Sequence, residues 1–196
     1  MAVLVMLEVA GGTVEKYAQV NELLGIGDDE DAPDGLIYHV AAVADDGLVL
    51  ADLWRSEEDF ERFLGERAGE AFAQAEIGDV THTVAQVHDH TEGTGSEEAT
   101  LVIIEADDLT PELYDQMRAE MPSHAEGNNH PAVAHIAAVR EDGSFVVVDV
   151  WESPEAFAAF AQSEIGPASQ NVGLGPVEPR IHPIHNTIKS KGASGR

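Results

Sequence analysis

Apolar and polar positions along this chain change rhythm in an order that occurs twice. Residues 2–9 and 99–106 are nearly continuous apolar runs rich in Val, Leu and Ile, and each predicts a buried strand. Each run is followed by a threonine suited to a helix N-cap, Thr13 or Thr110. Pro111 then occupies the first helical position of the second copy, where its missing N–H costs nothing. Leu113, Met117 and Met121 recur every four residues and mark the buried face of that helix. Two further strands flank Asp46-Gly47, and two more flank Asp142-Gly143, each a hairpin signal. A second helix opens at Ser56, with Asp59 three residues on, or at Ser153-Pro154. It turns Phe60 and Phe63, or Phe157 and Phe160, to one side, and a last strand ends near His88 or His185.

The pattern is therefore βαββαβ, twice, and the residues themselves repeat. HVAAVADDGLVLADLWRSEEDFERF, from His39 to Phe63, returns as HIAAVREDGSFVVVDVWESPEAFAAF, from His135 to Phe160. The offset is 96 residues at His39 and His135, and 97 once one extra residue in the second turn has been passed. VLVMLE matches TLVIIE, TVEKY matches TPELY, and VHD matches IHN in the same register. Matches this specific over most of a chain mark a tandem duplication. The expected boundaries are 1–90 for the first repeat, 91–98 for a polar linker, 99–188 for the second repeat and 189–196 for a tail. The closing TIKSKGASGR as a whole reads as frayed. Right-handed crossovers give each repeat a four-stranded antiparallel sheet with both helices on one face. The bare face needs a cover, and the second copy can supply it, so that the strands enclose a common interior.

Composition removes several function classes. The chain has no cysteine, which excludes disulfides, thiolate nucleophiles and cysteine-ligated metals. Ten Lys and Arg against 37 Asp and Glu give a formal charge of −27, a surface that repels nucleic acid and anionic lipid. Only Lys16, Lys189 and Lys191 are lysines, a balance suited to a salt-rich cytoplasm, so a halophilic source is one expectation. No apolar run approaches the roughly 18 residues of a membrane span, and the start of the chain reads as a strand. A cytoplasmic protein without membrane or nucleic-acid partners is expected.

The paired H-x-A-A-V, D-G, D-x-W-x-S-x-E-x-F-x-x-F and V/I-H-D/N strings resemble the dimeric α/β barrel superfamily, above all its antibiotic-biosynthesis-monooxygenase-like branch. The resemblance implies an α+β fold, with tandem ferredoxin-like βαββαβ repeats forming a single-chain pseudo-dimer of the dimeric α/β barrel type, monomeric or further oligomerised. It implies a small-molecule ligand, and for an enzyme a cofactor-independent monooxygenase or isomerase acting on an aromatic or polyketide-like substrate. The same superfold hosts stress-response and ligand-binding barrels without catalysis, and also haem binders. Haem-degrading members pair an Asn on the first strand with a Trp on the third and a His on the second helix. Here Trp54 and Trp151 are present, but the first strands carry no Asn and the helices carry Phe63 and Phe160.

Candidate chemistry rests on histidines, carboxylates and tryptophans at equivalent points. His39 and His135 begin the second strand of each repeat beside small alanines, and are candidates for a general base or ligand contact facing the interior. Asp52 and Asp149, each two residues before Trp54 or Trp151, could orient a histidine, form another ion pair or cap the following helix. The two tryptophans are candidate walls for an aromatic ligand, or core. His135 is expected as the base, with Asp149 and His185 as helpers. His39, Trp54, Trp151, His88 and His130 are expected around the ligand. His124 and His130 lie in SHAEGNNHPAV, which has no counterpart in the first repeat and could form a pocket mouth. Tyr17, Tyr114, Met6 and the phenylalanine pairs read as core. No metal-ligand spacing, phosphate loop or cofactor fingerprint is present, so neither metal nor cofactor is expected.

Overall fold

The structure, a computed structural model, describes residues 1–78, 80–125 and 130–190, with Ala125 described by its backbone alone. The first repeat forms β1 (Val3–Ala10), α1 (Val14–Leu24), β2 (Leu36–Ala44), β3 (Gly47–Trp54), α2 (Glu57–Phe63), α3 (Gly69–Gln74) and β4 (Val80–Glu92). The second forms β5 (Thr100–Ala106), α4 (Pro111–Glu120), α5 (Pro122–Ala125), β6 (Ala134–Arg140), β7 (Phe145–Trp151), α6 (Pro154–Phe160), α7 (Gly166–Asn171) and β8 (Arg180–Lys189). The fold is α+β. No helix among the described residues is long and apolar enough to cross a membrane.

The chain divides into two compact units, Met1–Val84 with Pro183 onward, and Ala85–His182. In the first unit the sheet runs β1-β3-β2-β8, all neighbours antiparallel, with His39 opposite Asp52 on one side and Ile188 on the other. In the second it runs β5-β7-β6-β4, with His135 between Asp149 and Thr91. Each sheet thus takes its fourth strand from the other repeat. β4 continues to Glu92, two residues into the segment read as linker. β8 continues through Thr187 and Ile188, where the frayed tail was expected to begin; Ile188 is buried in the first unit's core.

Local signals explain the elements. Thr13 and Thr110 accept hydrogen bonds from the Lys16 and Leu113 amides, and Ser56 and Ser153 do the same for Asp59 and Ala156, as expected of N-caps. The helices also hold a feature that the apolar pattern does not predict. In both repeats the helix after the hairpin continues through a π-helical turn, Leu64–Ala68 or Ala161–Ile165, into α3 or α7. A π turn holds an extra residue and rotates the next helical segment about its axis, and such turns concentrate near functional sites.

Period-two alternation along the strands puts the two sheet faces to different use. One face carries Val3, Val5, Leu7, Trp54 and His39 under the unit's own helices, packed with Val20, Leu24 and Phe60. On the opposite face Leu4, Met6, Val40, Ala42, Val49, Ala51 and Leu53 are buried. The second unit repeats this with Val102, Trp151, Tyr114, Phe157 and Phe160 on the helix side.

Candidate active site

The histidines expected to face a common interior lie instead on the helix-covered face of their own unit. His39 and Asp52 are direct cross-strand partners, so their side chains emerge on the same face, and His39 Nδ1 meets Asp52 Oδ1 at 2.6 Å. From α1, the Tyr17 hydroxyl reaches His39 Nε2 at 2.8 Å, and Asn186 of β8 donates to that hydroxyl at 2.9 Å. The second unit builds the same chain: His135 Nδ1 to Asp149 Oδ1 at 2.6 Å, and Tyr114 hydroxyl to His135 Nε2 at 2.6 Å. Here the tyrosine is met by Asp89 of β4, whose Oδ2 lies 3.2 Å from the hydroxyl and 3.8 Å from His135 Nε2.

Asp89 reaches this face because β4 is bulged. Val87 pairs with Ala138 but Asp89 pairs with Ala137, so His88 is the extra residue and the side-chain parity flips. β8 is bulged at the equivalent His185, which brings Asn186 opposite Ala41. Arg118, one turn beyond Tyr114, then pairs with Asp89 through a short contact and also bonds His124 from Nε at 2.9 Å. Asp52 and Asp149 therefore serve as histidine partners, while Ser56 and Ser153 cap the helices.

His130 completes the second site. It lies against His135 and also contacts Trp151 and Phe160 edge-on or tilted, and its Nδ1 accepts from the Ala132 amide at 3.3 Å. Burial pushes its pKa down to about 4, against a smaller pull from Asp149, so it is a neutral imidazole. Burial would raise the Asp149 carboxyl, but the charge and hydrogen bond of His135 outweigh it and hold the group below the ordinary carboxylate range. The Trp151 indole N–H adds to this by proximity, since it makes no hydrogen bond of its own; the Trp54 N–H is also unpartnered. Tyr114 is raised by burial and by Asp149 and Asp115, and Tyr17 chiefly by burial, so both remain hydroxyl donors.

The remaining expected residues divide between the units. His185 was grouped with His135 and Asp149, but strand exchange places it edge-on to Tyr17 in the first unit. His88 holds that position in the second unit, edge-on to Tyr114 and bonded to Asp115 at 2.8 Å. Trp54 and Trp151 are fully buried under Phe60 with Phe63 and Phe157 with Phe160, as core and as site wall together. His124 sits on Arg118; residues 126–129 of the same loop, including the Gly-Asn-Asn stop, lie outside the described residues. Sequence reasoning missed Tyr17, Tyr114, Arg118, Asp89 and Asn186. The repeat itself was the available signal, because the tyrosines recur at the common offset.

Each site adjoins a small apolar cavity. The first, about 80 Å³, is lined by Tyr17, His39, Asp52, Trp54, Phe60 and Phe63 among others. The second, about 60 Å³, lies among Tyr114, Arg118, His130, His135, Asp149 and Phe160. His130, His135 and Asp149 bring nitrogen and oxygen atoms within 4.8 Å of one another, a possible metal trio. However, both His135 nitrogens are already bonded, and the two rings stack rather than aim at one point. Within the trio His135 and Asp149 are hydrogen-bonded to each other, and His130 stacks on the His135 ring.

Solved structures carry the same fold. The chain superimposes on a candidate monooxygenase from Fusobacterium nucleatum with TM-score 0.70 and 10% identity, covering 96% of this chain and 94% of that one. The dimeric α/β barrel fold is shared. A Listeria monocytogenes ferredoxin-fold protein related to antibiotic biosynthesis monooxygenases matches at TM-score 0.55 and 12% identity, over 94% and 95% of the two chains. A haem-degrading enzyme from Listeria monocytogenes matches at 0.52 and 11%, over 93% and 99%. No family model and no curated protein sequence matches.

Proposed function

We propose that this protein is a small-molecule enzyme whose chemistry is proton transfer, carried out by the Tyr–His–Asp chain on the helix-covered face of the sheet. The observation that carries this reading is the chain itself. A buried carboxylate, imidazole and phenol are aligned at 2.6 Å and 2.6 Å in one unit and at 2.6 Å and 2.8 Å in the other, each beside an apolar cavity. Burying an Asp and a His is costly, and packing alone would be served as well by apolar residues. The carboxylate fixes the imidazole with Nδ1 protonated, leaving Nε2 to exchange protons through the tyrosine. Apolar aromatic walls select a flat, largely apolar substrate with a weakly acidic C–H or phenol, aromatic or polyketide-like. Its deprotonated form is either reprotonated at another carbon, an isomerisation, or captured by dioxygen without a cofactor. The fold shared with candidate monooxygenases supports this reading by analogy.

A second reading is a binding barrel without turnover, and cavity size limits both readings alike. Volumes of about 80 and 60 Å³ are well below the roughly 300 Å³ of ordinary ligand sites, so a multi-ring substrate needs the helices to part. Neither cavity has room for a porphyrin. Anthrone, an aromatic ketone with an acidic methylene, separates the readings. Wild-type protein is expected to accelerate its deuterium exchange or oxygen uptake, and His39→Gln/His135→Gln to abolish that. Saturable binding without exchange or uptake would establish the second reading.

A further inference from the structure

The two sites differ at two positions beside the tyrosine, and the difference is one of charge. Beside Tyr17 the first unit has Asn186, and Asn21 occupies the place one turn along α1. Beside Tyr114 the second unit has Asp89, ion-paired to Arg118 at the matching turn of α4. An amide pair in one copy thus replaces an Arg–Asp pair in the other. Asn186 donates to the Tyr17 hydroxyl, which leaves that hydroxyl's single proton directed to His39 Nε2. An ionised Asp89 can only accept, so the Tyr114 proton has two acceptors, Asp89 and His135.

We propose that only the second site is built for proton transfer, with Asp89 and Arg118 as its positioning residues and the first site as a fixed, non-transferring copy. This rests on the proton-transfer reading of the Tyr–His–Asp chain. In the transfer step the substrate C–H bond breaks and a bond forms between that proton and Tyr114 oxygen. The Tyr114 O–H proton passes to His135 Nε2, and the C–H electron pair stays on the substrate as its enolate. The imidazolium so formed lies between two carboxylates, Asp149 on Nδ1 and Asp89 at 3.8 Å from Nε2. The other groups facing it are Tyr114 and Arg118 from α4 and the neutral His130 ahead of β6, with His124 of α5 held on Arg118. Charge in the cluster then closes: Asp149 and Asp89 negative, His135 and Arg118 positive. Among the described residues the first site offers His39 one carboxylate, Asp52.

The test is to convert the second site into the first. Asp89→Asn alone leaves Arg118 without its carboxylate and risks misfolding. Arg118→Asn/Asp89→Asn instead copies an amide pair that already occurs at the equivalent positions of this chain. Each His–Asp bond should give a low-field imidazole N–H proton resonance, and wild-type protein is expected to show two distinct ones. In the double variant the His135 resonance should move toward that of His39, and turnover of anthrone should fall about 100-fold in kcat with KM within twofold. An unmoved His135 resonance would overturn the proposal whether or not turnover is seen. Turnover retained in the double variant would overturn it as well. If wild-type protein has no turnover, the proton-transfer reading fails, and the proposal that rests on it falls too.

Discussion

His130 lies against the face of His135, with ring centroids 4.6 Å apart and planes 29° from parallel. The contact belongs to the second unit, since the first repeat carries no histidine between Tyr17 and His39. Its burial gives the protein a specific acid sensitivity. The unfolded chain takes up a proton on this imidazole near the ordinary histidine value, the folded chain only near 4. Between those values the unfolded state holds more protons, so stability falls as pH drops through that window and levels below it. The full effect is about 3 kcal/mol. Urea midpoints measured from neutral pH down to about pH 4 should show it, and His130→Gln should flatten the curve across that range.

Asp149 adds a lower step. Its carboxyl is held below the ordinary range, so its contribution is complete above the unfolded value and disappears as pH falls through the folded one. Asp149→Asn keeps the shape and removes the charge. The expected outcome is loss of that step from the urea profile and a fall in kcat of about 10²- to 10⁴-fold, read by steady-state kinetics. An unchanged kcat would leave Asp149 a structural residue.

Strand exchange makes a third prediction. Without β8, residues 1–97 expose the hydrogen-bonding edge of β2, including the positions opposite Ile188 and Asn186. An open edge invites pairing with another chain. Residues 1–97 alone should therefore self-associate or remain unfolded, and adding residues 98–196 should restore strand signal in circular dichroism. A stable, monomeric, folded 1–97 would show that β8 is dispensable.

Much of this was legible in the residues. Repetition of HVAAV with HIAAV, and of the Asp-Gly turns, determined element order because hairpins and caps are local signals. Placement of His185 was not legible. Spacing shows that it ends a strand but not which sheet that strand joins, and the exchange moves it from His135 to Tyr17. The β-bulges at His88 and His185 were equally hidden, and with them the turn of Asp89 and Asn186 toward the tyrosines. Tyr17 and Tyr114 read as core because they are buried. Only a fold that puts α1 over β2 and α4 over β6 shows their hydroxyls on a histidine. The π turns leave no mark in an apolar pattern that already reads as helix.

The most direct measurement compares two single variants, His135→Gln and His39→Gln, in the rate of anthrone deuterium exchange or oxygen uptake by the full-length chain. Each histidine bonds a tyrosine and an aspartate, and the urea midpoints of the two variants separate an effect on the site from one on folding. The account predicts a loss of at least about 100-fold for His135→Gln and a rate within a few-fold of wild type for His39→Gln. Equal rates in both variants and the wild type would contradict it.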